Sequence, residues 1–404
     1  MVIVRSPASA TVINAISTGK GSAFGIELYV TAEVTVIYKE SVKGVEYICK
    51  SLDHPNMDTR LMEESAKRAY DKLNENPLFN LENICIIVET TSDIPPGSGL
   101  SSSSAASNSV VYATLLALIE ECGLSRDSFK ITDEDIINMA IDASLEVGVT
   151  KTGSFDDASA SFYGGWKITD NYEREILREY RVDYEKVLIY IPNKSLYTAK
   201  SDVNAMKSIS SLVEIAFNKA IEKNIEDALT LNGFLYCAAL DLDSQISMKA
   251  IKAGAKAAGL SGTGSAYTIL ADAEDMESIK DALRDYPGRL IECRPDNTGS
   301  IVLWVKCDSM DEKEAEILLE KSRNKIDEID DNILRLIMER TSLSKDIIAS
   351  KKALNKKLFD PTREKAIREK ILKKLSDTEI NKDKVLEIFD LLAQINKEEQ
   401  KKYL

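Results

Sequence analysis

The pattern of apolar and polar positions divides the chain into two styles. VTAEVTVIYKE (30–40), VEYICKSL (45–52) and NICIIVETT (83–91) are short, β-branched and partly alternating, which predicts strands. YTILAD (267–272) and GSIVLWVKC (299–307) read the same way. Ser102–Glu121, Asp133–Leu145 and Lys200–Ile225 carry helical spacing or composition. Strands and helices in irregular order predict an α+β domain. From about Glu314 the period changes. Ile317, Ile326, Ile329, Ile333, Leu336, Ile337, Leu343, Ile347 and Ile348 recur at steps of three and four as far as Leu354, which predicts one long helix. Asp360 as a cap, with Pro361 in the first turn, opens a second helix; a third runs from Asn381 or Asp383 to Tyr403. A helix of roughly 40 residues spans about 60 Å, more than the width of a small domain. Two shorter helices cannot cover its apolar stripe, so the pattern predicts an intertwined homodimer or a long coiled coil.

Composition turns over at the same place. All 18 glycines precede residue 300, and Pro361 is the one proline beyond residue 310. Residues 311–404 carry 22 Lys+Arg and 21 Asp+Glu, whereas residues 1–310 carry 30 and 45. Two regimes predict two domains, 1–308 and 313–404, joined near Cys307–Asp311. With 404 residues and 44% hydrophobic content, the chain can bury sizeable cores, which excludes global disorder. A net charge of −14 argues against nucleic acid or an anionic membrane surface as partner. The single histidine, His54, excludes a His-cluster metal site and argues against a Ser-His-Asp mechanism. Cys49, Cys85, Cys122, Cys237, Cys293 and Cys307 include no CxxC pair and read as small apolar residues of a reducing compartment. The chain shows neither a leader-like start nor an uninterrupted apolar run of about 18 residues, so the expectation is a cytoplasmic protein.

Two glycine-rich segments carry candidate chemistry. PPGSGLSSSSAA (95–106) follows a strand and enters a helix. Glycines there let main-chain amides approach an anion, and the helix N-terminus adds free N–H groups and a positive dipole end. Pro96, Gly97, Ser98, Gly99, Leu100, Ser101, Ser102, Ser103 and Ser104 are the candidate phosphate binders. No GxxxxGK[ST] occurs, so this is not a Walker A loop. In AAGLSGTGSAYTIL (257–270), Gly262 and Gly264 form a second turn able to close over phosphate or substrate. SLEVGVTKTGSFDDASASFYGG (144–165) places Glu146 and Asp157 eleven residues apart, with Asp156 beside the latter. Such carboxylates can hold Mg²⁺ or take the proton of an attacking hydroxyl, although a lone acidic residue is more ordinarily a solvated surface group.

In the helical segment, Arg340 and Lys351 lie eleven residues apart, three turns plus roughly 20°, and so share a face. Arg323 lies seventeen residues before Arg340, about 25 Å along the axis. If both serve one site, Arg323 comes from another subunit. Arginines and lysines gathered in a helical bundle suit a compact dicarboxylate, against the ordinary reading of solvated charges.

PPGSGLSSSSAA resembles the second motif of the GHMP kinase superfamily, and GLSGTGSAY its third; TVINAISTGKGSAFGI (11–26) resembles the first motif of its archaeal shikimate kinases. The resemblance spans about residues 3–305. It implies ATP- and Mg²⁺-dependent phosphorylation of a small-molecule hydroxyl, with the metal on Ser103 and Glu146 and the acceptor near Asn14, Gly262 and Thr263. It puts the base at Asp157, with Asp156 as rival. Several superfamily members carry a base-assisting lysine near Thr11; here either Lys20 serves or no lysine assists. The phosphate motifs leave homoserine or a mevalonate-type alcohol open as acceptor. RNKIDEIDDNILRLIMERTSLSKDIIASKK (323–352), FDPTREKAI (359–367) and VLEIFDLLAQINKEEQ (385–400) resemble the all-helical chorismate mutases over about 317–404. By that resemblance Arg323 of a second copy, Arg340 and Arg363 hold two carboxylates, with Asn396 beside them. Lys351 and Gln400 donate to the breaking ether oxygen, and Glu364, with Asp360 nearby, engages the hydroxyl. No cofactor is implied there. An oligomerisation or regulatory module without catalysis is the alternative for these helices.

Overall fold

The computed structural model describes residues 1–39, 41–150, 152–193, 202–305, 323, 326–327, 330, 333–354, 361–374 and 382–401. The chain divides into two compact units, Met1–Cys307 and Asp308–Leu404. The first contains strands β1 (Val2–Ile13), β2 (Lys20–Tyr38), β3 (Val45–Ser51), β4 (Ile84–Ser92), β5 (Trp166–Asp170), β6 (Glu175–Tyr180), β7 (Val187–Pro192), β8 (Ala257–Leu260), β9 (Tyr267–Leu270), β10 (Gly288–Cys293) and β11 (Ile301–Val305). Its helices are α1 (Arg60–Asn74), α2 (Ser102–Glu121), α3 (Arg126–Phe129), α4 (Asp133–Val147), α5 (Phe155–Tyr163), α6 (Val203–Ser208), α7 (Ser210–Ile221), α8 (Ile225–Ala239), α9 (Gln245–Lys252) and α10 (Met276–Leu283).

Two sheets organise this unit. The larger runs β11-β1-β2-β4-β3, with β5 and β6 attached to β2; the smaller runs β10-β7-β9-β8. Only the β3–β4 pairing is parallel among the described strands. β2 is long because it serves two neighbours: Val30–Tyr38 pair with β4 and Lys20–Phe24 with β5. A Cβ at Gly25, between those stretches, would lie 2.7 Å from the Asp296 carbonyl oxygen, so glycine alone admits that crossing chain. The first half of β2 and all of β1 were not legible as strands: small polar residues and Pro7 interrupt their pattern, yet both are largely buried.

α2 matches its expected span. It is long and apolar enough to cross a membrane by length and composition, but 72% of that window is buried inside the protein, as befits a core helix. The helix expected over Lys200–Ile225 is broken instead; its first two residues lie outside the described residues. Lys223 takes a left-handed φ of 65°. Asn224 then caps α8 by accepting from the Asp227 amide at 3.0 Å. Asp202 caps α6 similarly, accepting from the Asn204 and Ala205 amides.

In the second unit residues 333–342 are helical, and Leu343 (φ −67°, ψ −12°) leads into α11 (Ser344–Ala353), so the expected long helix ends at Leu354 as read. Its beginning and the domain join lie outside the described residues. α12 (Pro361–Lys374) and α13 (Lys382–Lys401) follow, and α13 packs on both others. Here Ile348 and Leu386 are buried, while Ile333, Leu336, Met338 and Leu343 are 49–66% exposed.

Candidate active site

The two glycine turns interlock. A Cβ on Gly99, whose φ is +80°, would lie 2.6 Å from the Gly264 Cα, and one on Gly264 2.3 Å from the Gly99 Cα. The turns are then sewn together: the Ala266 amide donates to the Ser98 carbonyl (3.0 Å), Ser261 Oγ to the Gly99 carbonyl (3.3 Å), and the Thr11 amide to Ser261 Oγ (3.1 Å). Ser101, at φ 56°, turns the chain into α2 with no side chain capping the helix start, so its first N–H groups remain available. The turns border a cavity of about 610 Å³ whose wall includes Gly97, Gly99, Ser101–Ser104, Gly262 and Thr263. Asn14 also lines it; Asn14 is held by Tyr236 Oη, which donates to its carbonyl at 2.9 Å, and by its own amide donating to Asn232 Oδ1 at 3.3 Å.

Asp156 and Asp157 reach the same cavity from the first turn of α5. Asp157 Oδ1 accepts from Ser9 Oγ at 2.9 Å and Thr11 Oγ1 at 3.3 Å, both on β1. Burial raises its carboxyl above the usual range, and hydroxyls of Ser101, Ser9 and Thr11 offset that by stabilising the charge. Asp156 Oδ1 accepts from Asn171 Nδ2 at 2.7 Å, and main-chain amides of Asp156 and Asp157 add to it. Burial first, then the Asp157 charge, push it up to about 8. Burial thus raises both carboxyls; three hydroxyls stabilise charge on Asp157, whereas Asp156 also meets the opposing charge of Asp157.

In the second unit, Arg340 is half-buried and its Nη1 donates to the Leu392 carbonyl on α13 at 2.7 Å. One turn further along α13, Asn396 Oδ1 is buried with no partner among the described residues. An unpaired buried acceptor costs about 1–3 kcal/mol, which a donor from a ligand would relieve. Lys351 is half-buried on α11, whereas Arg323 and Arg363 are exposed. Glu364 lies in α12 and Gln400 in α13; their side chains, and Asp360 entirely, lie outside the described residues.

Residues 64–165 match the family model of the GHMP kinases N terminal domain, and residues 322–401 that of chorismate mutase type II. The chain is 45% identical over 300 residues to a shikimate kinase of Methanothermobacter thermautotrophicus, covering 74% of this chain and 97% of that protein. A shikimate kinase of Methanobrevibacter smithii is 42% identical, covering 73% and 97%. The chain belongs to the GHMP-type shikimate kinases. A chorismate mutase type II domain follows in the same chain. The fold is also similar to the mevalonate kinase of Methanococcus jannaschii, at TM-score 0.54, 18% identity and coverage of 72% and 98%. A homoserine kinase from Cytophaga hutchinsonii gives TM-score 0.53 at 17% identity, with coverage of 75% and 97%. Kinases of this family use ATP.

Five residues predicted for the kinase site do not line the cavity: Ser98, Leu100 and Gly264 are buried where the two turns pack together, and Lys20 and Glu146 lie elsewhere. Lys20 Nζ pairs with Glu214 at 2.7 Å and lies 5.3 Å from the Phe217 ring, so it is spent on α7 and does not reach Asp157. The alternative, that no lysine assists, matches the geometry: the hydroxyl of Thr11 contacts Asp157 instead. Glu146 is exposed at the end of α4, its carboxylate 4.0 Å from Arg68 and outside the cavity wall. Spacing cannot tell which way a helix end faces. Ser9, Asn171, His54, Met57 and Met62 were not legible as site residues; the last three belong to the wall beyond the glycine turns and carry no motif. Among the described cysteines, Cys85, Cys237 and Cys293 are buried and all are free, as expected of packing residues; Cys307 lies outside the described residues.

Proposed function

We propose that residues 1–308 transfer the γ-phosphoryl group of ATP to the 3-hydroxyl of shikimate, and that residues 313–404 rearrange chorismate to prephenate. The observation that carries the first reading is the buried aspartate pair facing two interlocked glycine turns across one cavity. The nucleotide phosphates lie against the N–H groups of Gly97–Ser104. The acceptor oxygen attacks the γ-phosphorus in line, the bond to the bridging oxygen of ADP breaks, and the hydroxyl proton passes to Asp157. Asp157 is the base because its neighbours Ser101 and Thr11 belong to the phosphate end, whereas Asp156 faces Gly21 and Asn171. Asn14, Gly262 and Thr263 border the acceptor. A divalent cation takes oxygen donors, and Ser103 in the cavity wall fits that role; Glu146, turned to Arg68, does not fit as placed. When bound, such an ion neutralises phosphate charge.

For the mutase, Arg340, Arg363 and Asn396 hold the carboxylates, Lys351 and Gln400 face the ether oxygen, and Glu364 with Asp360 takes the hydroxyl. Within chorismate one C–O bond breaks as one C–C bond forms, and positioning with charge stabilisation supplies the rate. The exposed apolar stripe of Ile333, Leu336 and Ile347 supports a second copy packed on this face, which would bring its own Arg323 to the site. Free thiols suit a reducing compartment, so we place both reactions in the cytoplasm.

The test is ADP release by the full chain with shikimate, homoserine or mevalonate, and loss of chorismate absorbance. Turnover of homoserine or mevalonate but not shikimate overturns the acceptor. A folded, dimeric chain inert toward chorismate overturns the second activity.

A further inference from the structure

Phosphoryl transfer as described uses one of the two cavity aspartates, yet the protein devotes several residues to holding the other. Asp156 is 3% exposed. Asn171, also buried, donates to its Oδ1 at 2.7 Å, and Asn171 Oδ1 in turn accepts from Thr169 Oγ1 at 2.7 Å. Thr169 is fully buried on β5. On β2, Gly21 supplies the space: a Cβ there would come within 2.6 Å of Asp156 Oδ2. Two segments thus converge on a carboxyl group that packing alone does not require. Burying a second carboxyl beside the first is unfavourable, and an apolar residue would fill the volume without that cost.

The two side chains also face different ways. Consecutive residues at the start of a helix diverge by about 100°. Asp157 turns toward Ser9, Thr11 and the phosphate end, and Asp156 toward Gly21 and Asn171, while both border the cavity. We propose that Asp156 binds a second hydroxyl of the acceptor, the one vicinal to the hydroxyl that is phosphorylated, so that the aspartate pair reads a vicinal diol. Asn171 is its positioning residue. An acceptor with adjacent hydroxyls makes both contacts, and one with an isolated hydroxyl makes the first alone. The inference rests on shikimate as acceptor and Asp157 as base. Asn171 keeps Oδ1 occupied, which leaves Oδ2, beside the space that Gly21 provides, for that hydroxyl.

The test compares full-length wild type, Asp156→Ala, Asp156→Asn and Asn171→Ala with shikimate and 4-deoxyshikimate, at saturating ATP. Wild type is expected to lose about 10- to 100-fold in kcat/KM on the deoxy compound, chiefly through KM. Asp156→Ala loses a similar factor on shikimate and shows no further loss on the deoxy compound. Asp156→Asn restores part of the discrimination, and Asn171→Ala reduces it while keeping the carboxyl. The KM for ATP stays unchanged throughout. A folded Asp156→Ala enzyme that still discriminates as wild type does overturns the proposal; should that variant not fold, unchanged discrimination in Asn171→Ala overturns it equally. Wild type inert toward shikimate overturns the acceptor assignment and this inference together, whereas active wild type indifferent to the 4-hydroxyl overturns this inference alone.

Discussion

We infer that the two units hold anions by opposite means. In the first, residues near positions 11, 99, 157 and 262 converge within one chain, around two turns locked by glycine-to-glycine packing whose main-chain amides would face the anion. In the second, guanidinium and ammonium groups stand on helices whose large apolar side chains stay exposed. A main-chain cradle has no side chain to delete and fails when a Cβ is added. A side-chain cluster tolerates backbone change, fails by deletion, and can be completed from a second copy.

That contrast can be broken at its strongest point first. Asp157→Asn should lower the shikimate-dependent kcat by about 10²- to 10⁴-fold and leave chorismate turnover at the wild-type rate, measured on the same preparation. Arg323→Ala and Lys351→Ala should each abolish most mutase activity. Mixed after subunit exchange they should regain about a quarter of it, since half the dimers then hold one intact site of two; no recovery would show a site closed within one chain. Gly264→Ala should destabilise the first unit by about 1–3 kcal/mol in denaturant unfolding, raise the KM for ATP and spare the mutase. Thr11→Ala, removing a 3.3 Å contact to Asp157, should cost about 3- to 10-fold in kcat. A loss as deep as that of Asp157→Asn would mean the hydroxyl does more than orient the base.

Local chemistry was legible wherever neighbouring residues carry it. α2 was readable end to end because its apolar run follows a glycine-serine turn, and the glycine-free tail announced helices. β1 and the first half of β2 were not, since their small polar residues are buried by what packs over them rather than by their own pattern. Lys223 and Asn224 ended and restarted a helix where spacing ran straight on. The same limit applies to the site. The sequence by itself determined which residues could cradle phosphate and which acids stood ready, because these depend on residue type within a few positions. Only the tertiary structure decided that Thr11 rather than Lys20 meets Asp157, that Glu146 faces Arg68, and that Asn171 clamps Asp156. Direction and burial are set by chain segments distant in sequence, and no local spacing encodes them.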